Sequence, residues 1–386
     1  MGRRTTGRAG ARRAWLAPAL AGCLLAAGCS SGYQPAGPFR DRPEGPPPQV
    51  APPSGTAPAP APGDPAEPGS NPGPGGDPNV VATDLTVPTG LVVLPDGTAV
   101  VGERETGRLL QVFPDRSPAR ELMTLPGVDT TGEGGLLGLA LSPTFLQDGL
   151  LYAYLSTPTD NRVVRFPLGG TPNPVLTGIP RGEVRNGGGL VFGPDGTLYV
   201  GTGDTGNPAL AADPASLAGK VLAIDVFGQP VGDGPVFTRG HTDVTALCVG
   251  GDEQLYATDD LATGPDEFDA LAAGGDHGPG GRSPVLEVPE AEAGLGGCAV
   301  SGPYVFLGAR TGEQVLVVEL DGRRDPVAEP EGFLTGQYGR LRTVVIDPAG
   351  ALWITTSNED GAGTPADDDD RVLRVLPPSS DADSPL

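Results

Sequence analysis

RNGGGLVFGPDGTLYVGTGD, residues 185–204, holds two apolar runs, GLVFG and TLYVG, joined by Pro194-Asp195-Gly196. Short apolar runs around a Pro-Asp-Gly turn predict a strand, a tight turn and a second, antiparallel strand. The same grammar recurs as GLVVLPDGTAVVGERE (90–105), LALSPTFLQDGLLYAYLS (139–156), TALCVGGDEQLYATDD (245–260), GCAVSGPYVFLGAR (297–310) and TVVIDPAGALWITTSN (343–358). These six copies stand roughly 45–60 residues apart, the length of a propeller blade. The fold class read from them is all-β. It is a six-bladed β-propeller with four-stranded blades over residues 79–378, closed into a ring with a funnel above a central channel. VLRVLP (372–377) is expected to share a sheet with a segment near 80–85, so that the two ends of the chain close the ring.

Composition agrees with such a core. Gly (62) and Pro (45) are abundant and aromatics are 5%, but the prolines crowd upstream of the repeats and the glycines fall at turns. The formal charge is −23 over 386 residues, which disfavours nucleic acid and anionic membrane surfaces as partners. Helix is expected only in short loop segments, over 209–217 and 267–273. The acidic run 367–370 reads as a solvated loop before the strand at 371–375.

The N-terminus reads as an address. Arginines within residues 1–13 precede the apolar segment WLAPALAGCLLAAGC, which is short for a membrane span. It ends in Leu25-Ala26-Ala27-Gly28-Cys29, a bacterial lipobox pattern. Residues 1–28 are therefore expected to be a lipoprotein signal peptide, with Cys29 the lipidated residue. The chain would then contact a membrane only through that anchor, on the outer face of the cytoplasmic membrane. Residues 29–78 are a disordered Pro/Gly/Ala-rich linker by composition, and 379–386 a loose tail. Beyond Cys23 and Cys29 the chain has Cys248 and Cys298, at the same point of consecutive repeats, which leaves open a disulfide or two buried thiols. Its two histidines, His241 and His277, form no metal pattern with these cysteines.

Over about residues 84–377 the chain resembles the PQQ-dependent sugar dehydrogenases, also called glucose/sorbosone dehydrogenases. The resemblance rests on an ordered series. Its members are Gly132-Glu133-Gly134-Gly135-Leu136-Leu137-Gly138, Asn186-Gly187-Gly188 through Gly203-Asp204, Ser216-Leu217-Ala218-Gly219-Lys220, Thr263-Gly264-Pro265-Asp266-Glu267 and Gly339-Arg340-Leu341-Arg342. It implies a six-bladed propeller that oxidises a sugar or related alcohol, with pyrroloquinoline quinone (PQQ) and Ca²⁺ as cofactors and a small-molecule sugar as the funnel ligand. Arg340 and Arg342, two apart on a predicted strand, would meet the quinone's carboxylates, with Glu133 and Asn186 also at the cofactor. The main-chain oxygens of Gly264 and Pro265 would hold calcium, with Glu267 in a second site.

The resemblance also marks departures. The family's proton-accepting histidine stands immediately before Asn-Gly-Gly, and here that position is Arg185, a permanent cation. Gly189, Thr242-Asp243, Glu133 and His277 replace an arginine, an arginine–asparagine pair, a glutamine and an aromatic residue of the family pattern. Asp204 and His241 are the candidate replacement bases. Two function classes follow: an extracytoplasmic PQQ-dependent sugar oxidoreductase, and a non-catalytic propeller lipoprotein that binds a ligand or partner.

Overall fold

The structure is a computed structural model that describes residues 76–378. The expected signal peptide, Cys29, all but the end of the linker, and the tail lie outside the described residues. Six antiparallel sheets make the body, one for each repeat read in the sequence. They span 88–124, 136–179, 190–239, 244–288 and 295–333, and a last blade joins 341–375 to 80–82. Each blade has four strands, and the two-residue strand Gly275–Asp276 extends the third by pairing in parallel with Val236–Arg239.

The hairpin turn explains the repeat. In 94–98 the Gly97 N–H donates to Leu94 O and the Leu94 N–H to Thr98 O. The pattern returns at 193–197, 250–254 and 347–351. Its fourth residue is left-handed: Gly97, Gly196 and Gly350 have φ of 84°, 82° and 85°, and Glu253 takes the same slot at 64°. A type I turn followed by a left-handed residue is a favoured hairpin closure, and glycine fills that position without steric cost. The aspartates of these turns are structural: Asp96, Asp195 and Asp347 each accept the backbone N–H two residues on, at 2.9 Å. The carboxylate thereby ties the turn to the second strand.

Blades are joined by their inner strands and by apolar faces between sheets. Gly138 and Gly297 sit where inner strands approach closely: a Cβ at Gly138 would stand 2.0 Å from Gly188 O, and one at Gly297 2.5 Å from Val344 N. Six core clusters fill the wedges between blades, anchored by Phe166, Phe268 and Trp353, each fully buried. The six inner strands enclose a narrow axial channel lined by residues such as Gly90, Leu139, Gly189, Leu247 and Val344. Val80–Ala82 pairs antiparallel with Val372–Val375, closing the ring as the sequence predicts.

Two helix expectations resolve differently. The first becomes the single turn Pro208–Ala212, capped by the Asn207 side chain. The second, 267–273, is largely strand instead, as Asp266–Ala270 pairs with Leu255–Asp259 and Leu286–Val288. Burial of Phe268 between neighbouring blades and two ladders of hydrogen bonds outweigh the helix preference of Glu267 and Ala270. Lys220, the chain's one lysine, is fully buried. Its Nζ donates to Leu210 O, Ala211 O and Ala218 O at 2.7–3.0 Å, tying the short helix to the blade.

Cys248 and Cys298 are joined in a disulfide between the inner strands of the fourth and fifth blades, with their Cα atoms 5.8 Å apart. The bridge closes a 50-residue separation, which constrains the unfolded chain by up to about 4 kcal/mol. A Cys248→Ser/Cys298→Ser variant is therefore expected to lose about 2–4 kcal/mol in reversible urea unfolding. An unchanged midpoint would show that blade packing alone fixes this junction.

Candidate functional site

The first strand of each blade starts, and the second strand ends, on the same edge of the ring. Loops on that edge enclose a cavity of about 480 Å³ to which all six blades or their connecting loops contribute. Five arginines line it: Arg104, Arg185, Arg310, Arg340 and Arg342. Three cavity residues are each the first residue after a second strand: Arg104 follows Ala99–Glu103, Asp260 follows Leu255–Asp259 and Arg310 follows Tyr304–Ala309. Arg342 enters from the inner strand Leu341–Ile346, and Arg340 from the turn before it.

Four of these guanidiniums have partners. Arg340 binds Asp360 at 3.0 Å, Arg104 binds Glu105 at 2.6 Å, Arg185 Nε binds Asp204 Oδ1 at 2.7 Å, and Arg310 pairs with Asp260. Among the described residues the Arg342 side chain makes no hydrogen bond or ion pair, although it is only 9% exposed. Burial first, then the like charges of Arg310 and Arg104, push its guanidinium down to about 9. It stays a cation at neutral pH, held among other cations. Arg104 Nε is likewise buried without a partner. Such an arrangement favours an anion with several acceptor groups.

Carboxylates share the cavity. Asp243 is raised well above the usual range by burial and then by Asp260, and its Oδ1 accepts the Gly187 N–H at 2.7 Å. Asp260 is raised by burial, with Arg310 and Arg342 opposing the rise. Asp266 is raised to about 6 by burial and Asp260, while it accepts N–H groups from Leu261, Gly294 and Leu295. Glu133 Oε2 accepts the Arg185 backbone N–H at 2.7 Å. Arg185 has φ of 53°, an uncommon backbone for arginine, and Thr205 N–H fixes its carbonyl at 3.1 Å.

The residues expected at the site divide. Glu133, Asn186, Arg185, Arg340, Arg342 and Gly264 line the cavity. The Asn186 side chain is spent internally, on Gly182 and Asn161. Asp204 is no base in the funnel. It is buried outside the cavity lining, accepting from Arg185 and from Gly206 N–H, because the turn after its strand needs an acceptor. His241 is also withdrawn. It is fully buried between Thr238 and Asp259, because the connection between the third and fourth blades folds inward there.

Of the residues expected to hold calcium, one borders the cavity. Gly264 lines it, whereas Pro265 is exposed and Glu267 lies outside the lining. Burial, then the charges of Asp269 and Asp259, raise Glu267 to about 7. Arg104, Arg310 and Asp260 belong to the cavity without having stood out in the sequence, and Asp243 stood out only as a departure from the family pattern. The available signal was their place at or beside the ends of the repeated hairpins.

Residues 85–280 match the family model described as Glucose / Sorbosone dehydrogenase. The fold superposes on the PQQ-bound form of an aldose sugar dehydrogenase from Streptomyces coelicolor with a TM-score of 0.74. The two are 37% identical, with 77% of this chain and 96% of that one covered. An oxidoreductase described as a glucose dehydrogenase, from Thermus thermophilus, superposes with a TM-score of 0.72 at 34% identity, covering 77% of this chain and 98% of that one. Quinoprotein glucose dehydrogenase B of Acinetobacter calcoaceticus is 25% identical over 246 residues, 52% of this chain and 51% of its own. The match thus spans about half the length of that relative. Matched from residue 85 to 280 and built as a six-bladed ring around an arginine-lined cavity, this chain belongs to the glucose/sorbosone dehydrogenase family.

Proposed function

We propose that the cavity binds pyrroloquinoline quinone and that the chain uses it to oxidise an aldose or related alcohol. The observation that carries this reading is Arg342, a buried guanidinium with no partner, pressed by Arg104 and Arg310 in a cavity of cofactor size. The residues fit a planar tricarboxylate: Arg342 and Arg104 have unspent donors, and guanidinium forks match carboxylates. Likeness to the PQQ-bound enzyme from Streptomyces coelicolor supports the same cofactor. Bound there, the quinone supplies a hydride-accepting, two-electron oxidant. Arg342, Arg104 and Arg310 orient it by its carboxylates, and the loops of the cavity limit access of water.

Proton removal falls to a carboxylate, because the guanidinium of Arg185 cannot accept a proton near neutral pH. Asp260 is the group of choice. Its Oδ2 is held by Arg310, its Oδ1 is left to accept, and burial raises its pKa against the opposing pull of Arg310 and Arg342. A second reading is favoured by one observation. Arg185 occupies the family's base position and is locked on Asp204, as expected of a propeller that kept ligand binding and lost turnover.

Arg342→Gln is expected to weaken PQQ binding about 10–100-fold in an absorbance titration, the loss of a charge-assisted contact. For the unsubstituted protein, affinity should hold below pH 9 and fall as pH rises through about 9, because deprotonation removes the cation. No binding by the unsubstituted protein would remove the oxidoreductase reading. In dye reduction with a panel of aldoses, Asp260→Asn should cost about 10²-fold in kcat if Asp260 is the base. Activity absent from the parent but gained in Arg185→His would establish the lost-base reading instead; histidine tolerates the left-handed backbone at 185 better than most residues.

The lipobox at 25–29 supports anchoring through Cys29 on the outer face of the cytoplasmic membrane, and the disulfide suits an oxidising compartment. Metabolic labelling with a radioactive fatty acid should mark the expressed protein and vanish in Cys29→Ser; equal labelling of both excludes the anchor.

A further inference from the structure

Outside the funnel, four side chains from separate segments converge at the junction of the third and fourth blades. They are His241 in the inter-blade loop, Asp259 ending one strand, Asp269 on the next, and His277 after the edge strand. None of them lines the cavity. His241 Nδ1 lies 3.1 Å from Asp259 Oδ2 and 3.9 Å from Asp269 Oδ2, and one ligand atom of each of these three residues falls within 4.8 Å of the others. His277 Nδ1 lies 3.2 Å from Asp269 Oδ1. All four side chains are at most 2% exposed.

Two features resist explanation as an ordinary hydrogen-bonded cluster. Both carboxylate oxygens of Asp269 and both ring nitrogens of His277 are buried with no hydrogen bond, despite the 3.2 Å approach. The only basic side chains near either Asp259 or Asp269, among the described residues, are the two imidazoles. Those rings stack at 4.7 Å with planes 22° apart, a costly position for two buried imidazolium cations. Neutral imidazoles, two carboxylates and one divalent cation leave the site without net charge.

The geometry points to a buried, structural site for a first-row transition dication, with zinc the best match, held by His241, Asp259 and Asp269, with the His277 ring stacked beside it. A tetrahedral zinc with ligands about 2.0–2.1 Å away sets ligand atoms about 3.4 Å apart, close to the separations observed. Mixed imidazole and carboxylate donors suit zinc over calcium, which takes oxygen. The supporting contacts are present. Thr238 Oγ1 lies 2.8 Å from His241 Nε2, within reach to accept its N–H in the tautomer that leaves Nδ1 free to ligate. Asp259 is oriented by the Thr242 and Asp243 N–H groups. Asp243 and Asp260, the neighbours of this site in the chain, line the funnel, so the ion would brace one wall of the cavity.

The test uses the untagged chain, stripped with chelator and titrated with Zn²⁺ and, separately, Co²⁺. One zinc per chain is expected, with a rise in melting temperature of about 5 °C at a hundredfold excess over Kd. Co²⁺ should develop the intense visible absorption of a four-coordinate, histidine-ligated ion, and Asp269→Asn should abolish it. Calcium should produce neither the stabilisation nor displacement of Co²⁺. Uptake of no cobalt with that spectrum by the unsubstituted protein overturns the site, whether or not the variant folds. An unaltered spectrum in Asp269→Asn overturns the ligand set.

Discussion

The structure depends on closure of the ring. Residues 80–82 and 372–375 are almost three hundred positions apart in a chain of 386, and they form adjacent strands of one blade. That pairing covers what would be an open edge and seals Val81, Leu85 and Val372 into the wedge that also holds Trp353. Leu85 and Asp370 exchange backbone hydrogen bonds at 3.0 Å, extending the seam beyond the strands. Only with the ring closed does the inner strand carrying Arg342 face those of the other blades. The cavity is a consequence of that closure, since its arginines come from the first, fifth and sixth blades and from the connection between the second and third.

Charge has two levels in this protein. Globally the chain is strongly acidic, at −23. Locally many carboxylates are committed to backbone: Asp96, Asp195 and Asp347 hold hairpin turns, Asp148 caps the Leu150 N–H, and Asp370 accepts from Asn358 and Glu359. Five of the arginines converge on one cavity. There they face six carboxylates, so the cavity mixes both signs of charge.

Arg185 shows how one residue links backbone to chemistry. Its φ of 53° turns the chain sharply ahead of Asn186-Gly187-Gly188, and its carbonyl packs so closely on Gly203 that a Cβ there would lie 2.0 Å away. Its N–H is held by Glu133 and its Nε by Asp204. The position is over-determined by its neighbours, which is how an unfavourable backbone persists at a functional site.

Local physics decided most of the architecture. Alternating apolar runs and the Asp-Gly turn define a hairpin without reference to anything distant, so six hairpins, their inner strands and the terminal closure were legible in 90–105, 185–204 and 343–358. Arg340 and Arg342 were legible as cavity residues, although only Arg342 lies on the strand and Arg340 reaches the cavity from the turn before it. The sequence left the fate of Cys248 and Cys298 open, and misread 267–273, because pairing partners and burial come from the rest of the chain. Tertiary structure alone decided that Arg104 and Arg310 join the cavity, that Asp204 serves Arg185, and that His241 turns inward to meet Asp259, Asp269 and His277. Those meetings follow from the angle at which neighbouring blades pack around the axis, and no spacing along the chain encodes that angle locally.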